Sequence, residues 1–168
     1  MQFIDYLMPN GERLRITHRV LETFHRHRQM SFRLFESGGI LLGSVVKKHV
    51  IIDKASTPGE RDKRGIAFFH RNKGRAQSLI DKAFLKSEGQ QIYLGEWHTH
   101  REQTPSPSFI DNCEIRRAYK KSKLNIGCMV YIIVGNKDNL GNIWVGYYDG
   151  QIMRDCQCIT QHPTQESC

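Results

Sequence analysis

GEWHTHREQTPSPSFID, residues 95–111, sets two histidines two positions apart, follows them with hydroxyls and prolines, and closes on an aspartate. The run that leads into it, QQIYLGEWHTH (90–100), has the aliphatic and aromatic content of a strand. Successive strand residues alternate faces, so His98 and His100 project to one side, and strict alternation adds Ile92, Leu94 and Glu96 to that side. Two imidazoles so placed reach one cation without bending the backbone. Downstream, 108–122 reads as a helix. Ser106 with Pro107 fits an N-cap followed by proline at the first helical position, and Ser108 is an adjacent alternative cap. Ile115, Ala118 and Tyr119 fall at i+4, i+7 and i+8 from Asp111, which places Asp111 on the inward stripe of the helix. A buried-face aspartate in a first turn either caps the helix or binds something. Zinc accepts two imidazole nitrogens and a carboxylate oxygen, and Asp111 is the nearest good candidate for that carboxylate.

Working outward, residues 2–8 read as a strand ended by the turn PNG (9–11), and Thr17 caps a helix whose Val20, Leu21 and Phe24 face inward. The basic HRHR (25–28) closes that helix and complements its dipole, which gives His25 and His27 a structural role. Two aliphatic runs, 40–46 and 49–53, flank Lys47 and Lys48 as an antiparallel hairpin. Residues 58–75 read as a long surface loop. A helix at 76–86 turns Ala76, Leu79, Ile80, Ala83 and Phe84 inward. CMVYIIVG and NIWVGYYDG close the chain as two strands about NKDNLG. The order β-α-β-β-α-β-α-β-β predicts one α/β domain, a mixed sheet flanked by helices, over residues 1–155, with 156–168 as a tail.

The 168 residues suit one domain, with 39% hydrophobic and 25% charged content. No apolar run approaches the roughly 20 residues of a membrane span, and no secretory leader pattern opens the chain, so a cytoplasmic protein is expected. The net charge of +8 is compatible with nucleic acid, an anionic membrane surface or an acidic partner protein. The basic residues are scattered through 25–28, 61–65, 70–75 and 116–123, which argues against nucleic acid. An odd cysteine count is no disulfide framework. Cys113 and Cys128 sit in apolar company and read as buried thiols. Cys156, Cys158 and Cys168, near His162, lack common zinc spacing and read as exposed thiols of a frayed tail.

The spacing H-x-H-x7-S-x2-D, with ESGGILLG (36–43) upstream, resembles the signature of the JAMM (JAB/MPN-plus) metallopeptidases. The likeness spans roughly residues 36–150. It implies a mixed sheet of the MPN/JAB type, related to cytidine deaminases and flanked by helices. Carried over by position, it implies His98, His100 and Asp111 as ligands of one Zn2+, which leaves a fourth coordination position open. It also implies Glu36 as the general base and Ser108 as hydrogen-bond donor to the oxyanion. Many members have proline after the second histidine; here it is Arg101, a difference in the loop and not in the ligands. From position alone Glu96, on the histidine strand, rivals Glu36 as base. The family pattern selects Glu36 and leaves Glu96 a supporting or ion-pair role.

The same likeness implies hydrolysis of the peptide or isopeptide bond after the extended C-terminal tail of a ubiquitin-like or similarly conjugated protein. Residues 58–75 would then wall the groove for that tail. GEWHTH with PSPS most resembles the stand-alone bacterial JAMM proteins of CBASS antiphage operons. That implies release of a cGAS-like nucleotidyltransferase conjugated by an E1/E2-like ligase. Deubiquitinase-like and sulfur-carrier-processing enzymes remain alternatives. Outside the enzymes, a non-catalytic MPN scaffold or a basic nucleic-acid-binding protein are the competing classes.

Overall fold

The computed structural model describes residues 3–159. Eleven strands and three helices make up those residues. The chain opens with β1 (Phe3–Leu7) and β2 (Arg13–Thr17), an antiparallel pair joined by a turn in which Gly11 takes a positive φ of 82°. The second of these strands was not expected. Its period-2 signal is only Leu14 and Ile16, both buried, between Arg13, Arg15 and Thr17. Helix α1 (His18–Arg26) follows directly from Thr17 and buries Val20, Leu21 and Phe24 as expected. Strands β3 (Gly38–Val46) and β4 (His49–Ala55) form the expected hairpin.

Residues 58–75 depart from a plain surface loop. They contain a small two-stranded sheet, β5 (Lys63–Gly65) with β6 (Phe68–His70), and the first residues of α2 (Lys73–Lys86). Asn72 caps α2 by accepting from the Arg75 N–H, so the helix begins earlier than its apolar spacing indicated. Phe84 also differs from expectation. It stands largely exposed beside Gly89, and Ala76 and Ala83 form the buried stripe. The chain continues through β7 (Ile92–Thr99), α3 (Phe109–Lys121), β8 (Met129–Val134) and β9 (Ile143–Tyr148). Cys128 is buried as expected, whereas Cys113 lies on the outer face of α3 and is exposed.

The main sheet runs β9-β8-β7-β3-β4-β2-β1, with β7–β8 and β2–β4 parallel and the other pairs antiparallel. Beyond β9 lies β10 (Met153–Asp155), and beyond β1 lies β11 (Gln157–Cys158). Only Cys156 separates these two strands, and its N–H donates to the Val145 carbonyl. The sheet therefore curls until its two edges meet. This overturns the frayed-tail reading for Cys156, which is buried in the core; Cys158 is held in the sheet opposite Tyr6, and its thiol is exposed as expected. His162 and Cys168 lie outside the described residues.

The inner face of the curled sheet packs Leu94, Trp97, Val130 and Ile132 around α1, with Phe24 and Trp97 ring centroids 4.9 Å apart. The outer face packs Ile40, Tyr93, Tyr131 and Ile133 beneath α2 and Ile115 of α3. Strict alternation along β7 fails at one point. Leu41 pairs with Gly95 and Leu42 with Tyr93, so Leu94 is an extra, bulged residue. The bulge sends Ile92 and Leu94 to the inner face and leaves Glu96 and His98 on the outer one, which corrects the expected company of the histidines. Gly95 makes this possible. Its φ is 155°, and a Cβ there would lie 1.8 Å from the Val130 carbonyl oxygen. Gly95→Ala is therefore expected to cost about 4 kcal/mol or more, read as a collapse of the thermal transition. Among the described residues, no helix is long and apolar enough to cross a membrane.

Candidate metal centre

β7 lies in the middle of the sheet between β3 and β8, so the end of this strand is held on both sides. Gly38 pairs with His98, and the Thr99 N–H donates to the Ser37 carbonyl at 2.9 Å while the Ser37 N–H donates to Thr99 Oγ1 at 3.0 Å. The His100 N–H donates to the Val134 carbonyl. Both imidazoles present Nε2 to the same point, 2.8 Å apart. The His98 ring also packs on the buried Tyr131, 5.2 Å between centroids.

Asp111 reaches that point from α3. Ser108, not Ser106, is the N-cap: its Oγ accepts from the Asp111 N–H at 3.2 Å and its own N–H donates to Asp111 Oδ2 at 2.6 Å. This reciprocal capping box fixes the carboxylate at the helix entrance. Asp111 Oδ1 is 3.2 Å from His98 Nε2, and Oδ2 is 3.4 Å from His100 Nε2. The three donor groups all lie within 4.8 Å of one another. A tetrahedral shell with bonds of about 2.0–2.1 Å has edges of roughly 3.3 Å, and two nitrogens with one carboxylate oxygen are a donor set zinc accepts. The residues fit the metal that the resemblance implies.

The electrostatics favour the ligating forms. Burial works against ionisation of Asp111, yet hydrogen bonds from His98 and Ser108 outweigh it and hold its pKa down at about 2. Burial and the neighbouring His98 lower the pKa of His100, which keeps that imidazole neutral.

Glu36 sits immediately before β3, buried, on the same cleft. Its backbone is tied down on both sides: its N–H donates to the Gly65 carbonyl at 2.8 Å, and its carbonyl accepts from Arg64 Nε at 2.7 Å. Burial raises its carboxyl pKa from an ordinary 4.5 to about 7, partly offset by His98. A carboxyl whose pKa is higher in the folded state holds its proton more tightly there than in the unfolded chain. Without metal, the fold thus loses stability as pH rises from about 4.5 to about 7 and no further above that. Metal-free Glu36→Gln is accordingly expected to melt above the parent protein at pH 8, with the gap closing toward pH 4.5, as followed by calorimetry.

Glu96 is engaged elsewhere. Arg71 pairs with it at 2.6 Å and the Tyr93 hydroxyl donates to it at 3.0 Å, so it shares the outer face with His98 but does not line the cleft. One cleft residue, Glu114, and one residue that braces Glu36 from outside the cleft, Arg64, escaped the sequence reading. Glu114 lies one turn beyond Asp111 and pairs with His70 of β6 at 3.0 Å; its i+3 spacing from Asp111 was the available signal. Arg64 had none, because its partners, the Phe35 and Glu36 carbonyls and the Ser37 hydroxyl, lie 27 to 29 residues away.

Comparison with known proteins follows the same geometry. The family of prokaryotic homologs of the JAB domain matches residues 17–146. A CD-NTase/cGAS isopeptidase of Escherichia coli is 35% identical over 127 residues, covering 76% of each chain. A protein of the same name from Pseudomonas aeruginosa is 37% identical over 125 residues, covering 73% of this chain and 79% of that one. One from Vibrio cholerae is 33% identical over 127 residues, 76% of each. Among solved structures, a protein of Desulfitobacterium hafniense determined in solution superimposes with a TM-score of 0.60 at 17% identity, over 89% of this chain and 94% of that one, a likeness of fold. The cleft, the matched span and these relatives agree: the chain belongs to the prokaryotic JAB-domain family, as a JAMM-type peptidase.

Proposed function

We propose that the chain is a zinc-dependent isopeptidase that releases a nucleotidyltransferase of the CD-NTase/cGAS type from conjugates made through its C-terminal tail. The observation that carries this reading is the convergence of Glu36 and Ser108 on the cleft formed by His98, His100 and Asp111. The relatives named CD-NTase/cGAS isopeptidase support a deconjugating role in CBASS defence. An E1/E2-like ligase would make the conjugate that this chain reverses.

His98, His100 and Asp111 would hold the zinc. When bound, the metal supplies Lewis acidity that polarises the scissile carbonyl and brings the ionisation of water near neutral pH. Glu36 takes a proton from the attacking water and passes it to the departing amine. Ser108, whose Oγ accepts from the Asp111 N–H, donates its hydroxyl proton to the oxyanion as the carbonyl carbon becomes tetrahedral, a contact worth roughly 3 kcal/mol in hydrolases. The β5–β6 hairpin stands beside the cleft as its wall, and a tail entering there adopts an extended form.

The test is a fusion of the nucleotidyltransferase C-terminus to an unrelated protein. Cleavage at the junction by zinc-loaded protein is expected, stopped by a chelator and by Glu36→Gln. An intact fusion, alongside cleavage of another isopeptide-linked substrate, would remove the nucleotidyltransferase from the proposal and leave the chemistry.

A further inference from the structure

Residues 100–103, HREQ, follow directly on Thr99, the last residue of β7, and beyond His100 their side chains are exposed. Their backbone is nevertheless held. The His100 N–H donates to the Val134 carbonyl at 2.9 Å, the Asn136 side-chain amide to the Arg101 carbonyl at 2.8 Å, and the Asn136 N–H to the Glu102 carbonyl at 3.0 Å. All three bonds run to the end of β8. Gly135 lies between the two partner residues, where a Cβ would stand 2.8 Å from the Glu102 carbonyl oxygen. The turn after the second histidine is therefore seated by main-chain bonds, and its side chains are left free for another use.

That seating puts the Glu102 carboxylate beside the ring of His100. Glu102 Oε2 is 3.8 Å from Nδ1, while Nε2 of the same ring is 2.8 Å from His98 Nε2 and 3.4 Å from Asp111 Oδ2. At 3.8 Å the carboxylate is wider than a hydrogen bond and acts as a charge next to a ring nitrogen. A neutral imidazole has one N–H and one lone pair, and only the lone pair binds a cation. Asp111 draws the single proton toward Nε2, which would turn an N–H on the metal position. Glu102 draws it the other way, to Nδ1.

The geometry points to Glu102 as a positioning residue: its carboxylate holds the His100 proton on Nδ1 and so leaves the Nε2 lone pair facing His98 and Asp111. The inference rests on the zinc reading of the cleft and deepens it. Carboxylates that receive the far N–H of a ligating histidine orient such ligands in zinc proteins generally.

The test compares the parent with Glu102→Ala and Glu102→Gln. Zinc affinity is measured by competition with a chromophoric chelator, and the tautomer of His100 by ring nitrogen NMR of metal-free protein at pH 8. Glu102→Ala is expected to weaken zinc binding by about tenfold, the low end for such partners because the side chain is 53% exposed and screened. It should also move His100 toward the Nε2–H tautomer. Glu102→Gln keeps an acceptor oxygen without the charge and should fall between the two. Glu114→Gln, which removes a carboxylate elsewhere in the cleft, should leave the His100 tautomer as in the parent. Melting of the metal-free variants should match the parent, since the bonds that seat the turn belong to the main chain. Equal zinc affinity of parent and Glu102→Ala overturns the proposal, as does an unchanged tautomer. An affinity loss matched by a fall in metal-free melting also overturns it, because Glu102 would then support the fold alone. A parent that binds no zinc removes the metal reading instead, and the tautomer comparison still decides what Glu102 does.

Discussion

Glu36→Gln is expected to lower turnover by about 10²–10⁴-fold while leaving zinc content, fold and substrate binding in place. Glutamine fills the same volume but has no lone pair basic enough to accept the proton of water. The backbone contacts that seat this residue, from Gly65 and Arg64, involve only its N–H and carbonyl and so survive the change. KM should stay near that of the parent and kcat should fall. Glu96→Gln is the control on the same strand as the histidines. It weakens the pair with Arg71 and the bond from Tyr93, so it should lower thermal stability and cost turnover far less. A reversed ranking in steady-state kinetics would make Glu96 the base, with the metal ligands unchanged.

Purified protein is expected to take up one zinc per chain, and His98→Ala or Asp111→Ala to lose both the metal and the activity. Two ligands left at a three-ligand site cannot hold the ion against solvent, so metal content by mass spectrometry should drop toward zero. The two substitutions differ in what else they remove. Asp111 is also half of the capping box with Ser108, so its loss leaves the Ser108 N–H without its acceptor and costs a further ~1 kcal/mol of stability even in metal-free protein. His98→Ala opens space beside Tyr131 but leaves the cap intact. Zinc retained in full by the double variant would place the metal away from this cleft.

The grouping of His98, His100 and Asp111 was legible in the sequence because each depends on short-range geometry. A two-residue step along a strand puts His98 and His100 together whatever the rest of the chain does, and the spacing from Ser108 to Asp111 is that of a capping box. Residues 92 and 94 show how far that logic extends. The histidine pair was correctly aligned, yet Ile92 and Leu94 went to the opposite face, because one bulged residue at Leu94 shifts all that precedes it. Gly95 was visible as a glycine in a strand, but its meaning came from Val130, the neighbour that crowds it.

Glu36 shows the other limit. As a residue 62 positions from His98 it had no local mark of its role, and only the family likeness singled it out ahead of Glu96. In the structure the pairing of β3 with β7 and the Ser37–Thr99 bonds bring residue 36 to the cleft. The closing of the sheet through Cys156 has the same origin. Local spacing determined which side chains share a strand face or a helix turn. Which strand lies beside which, and hence which distant carboxylate overlooks the histidines, was decided only by tertiary structure. The physical reason is that backbone N–H and C=O groups are alike at every residue: they bond whichever partner the packed core delivers, and that choice is made by the whole chain at once.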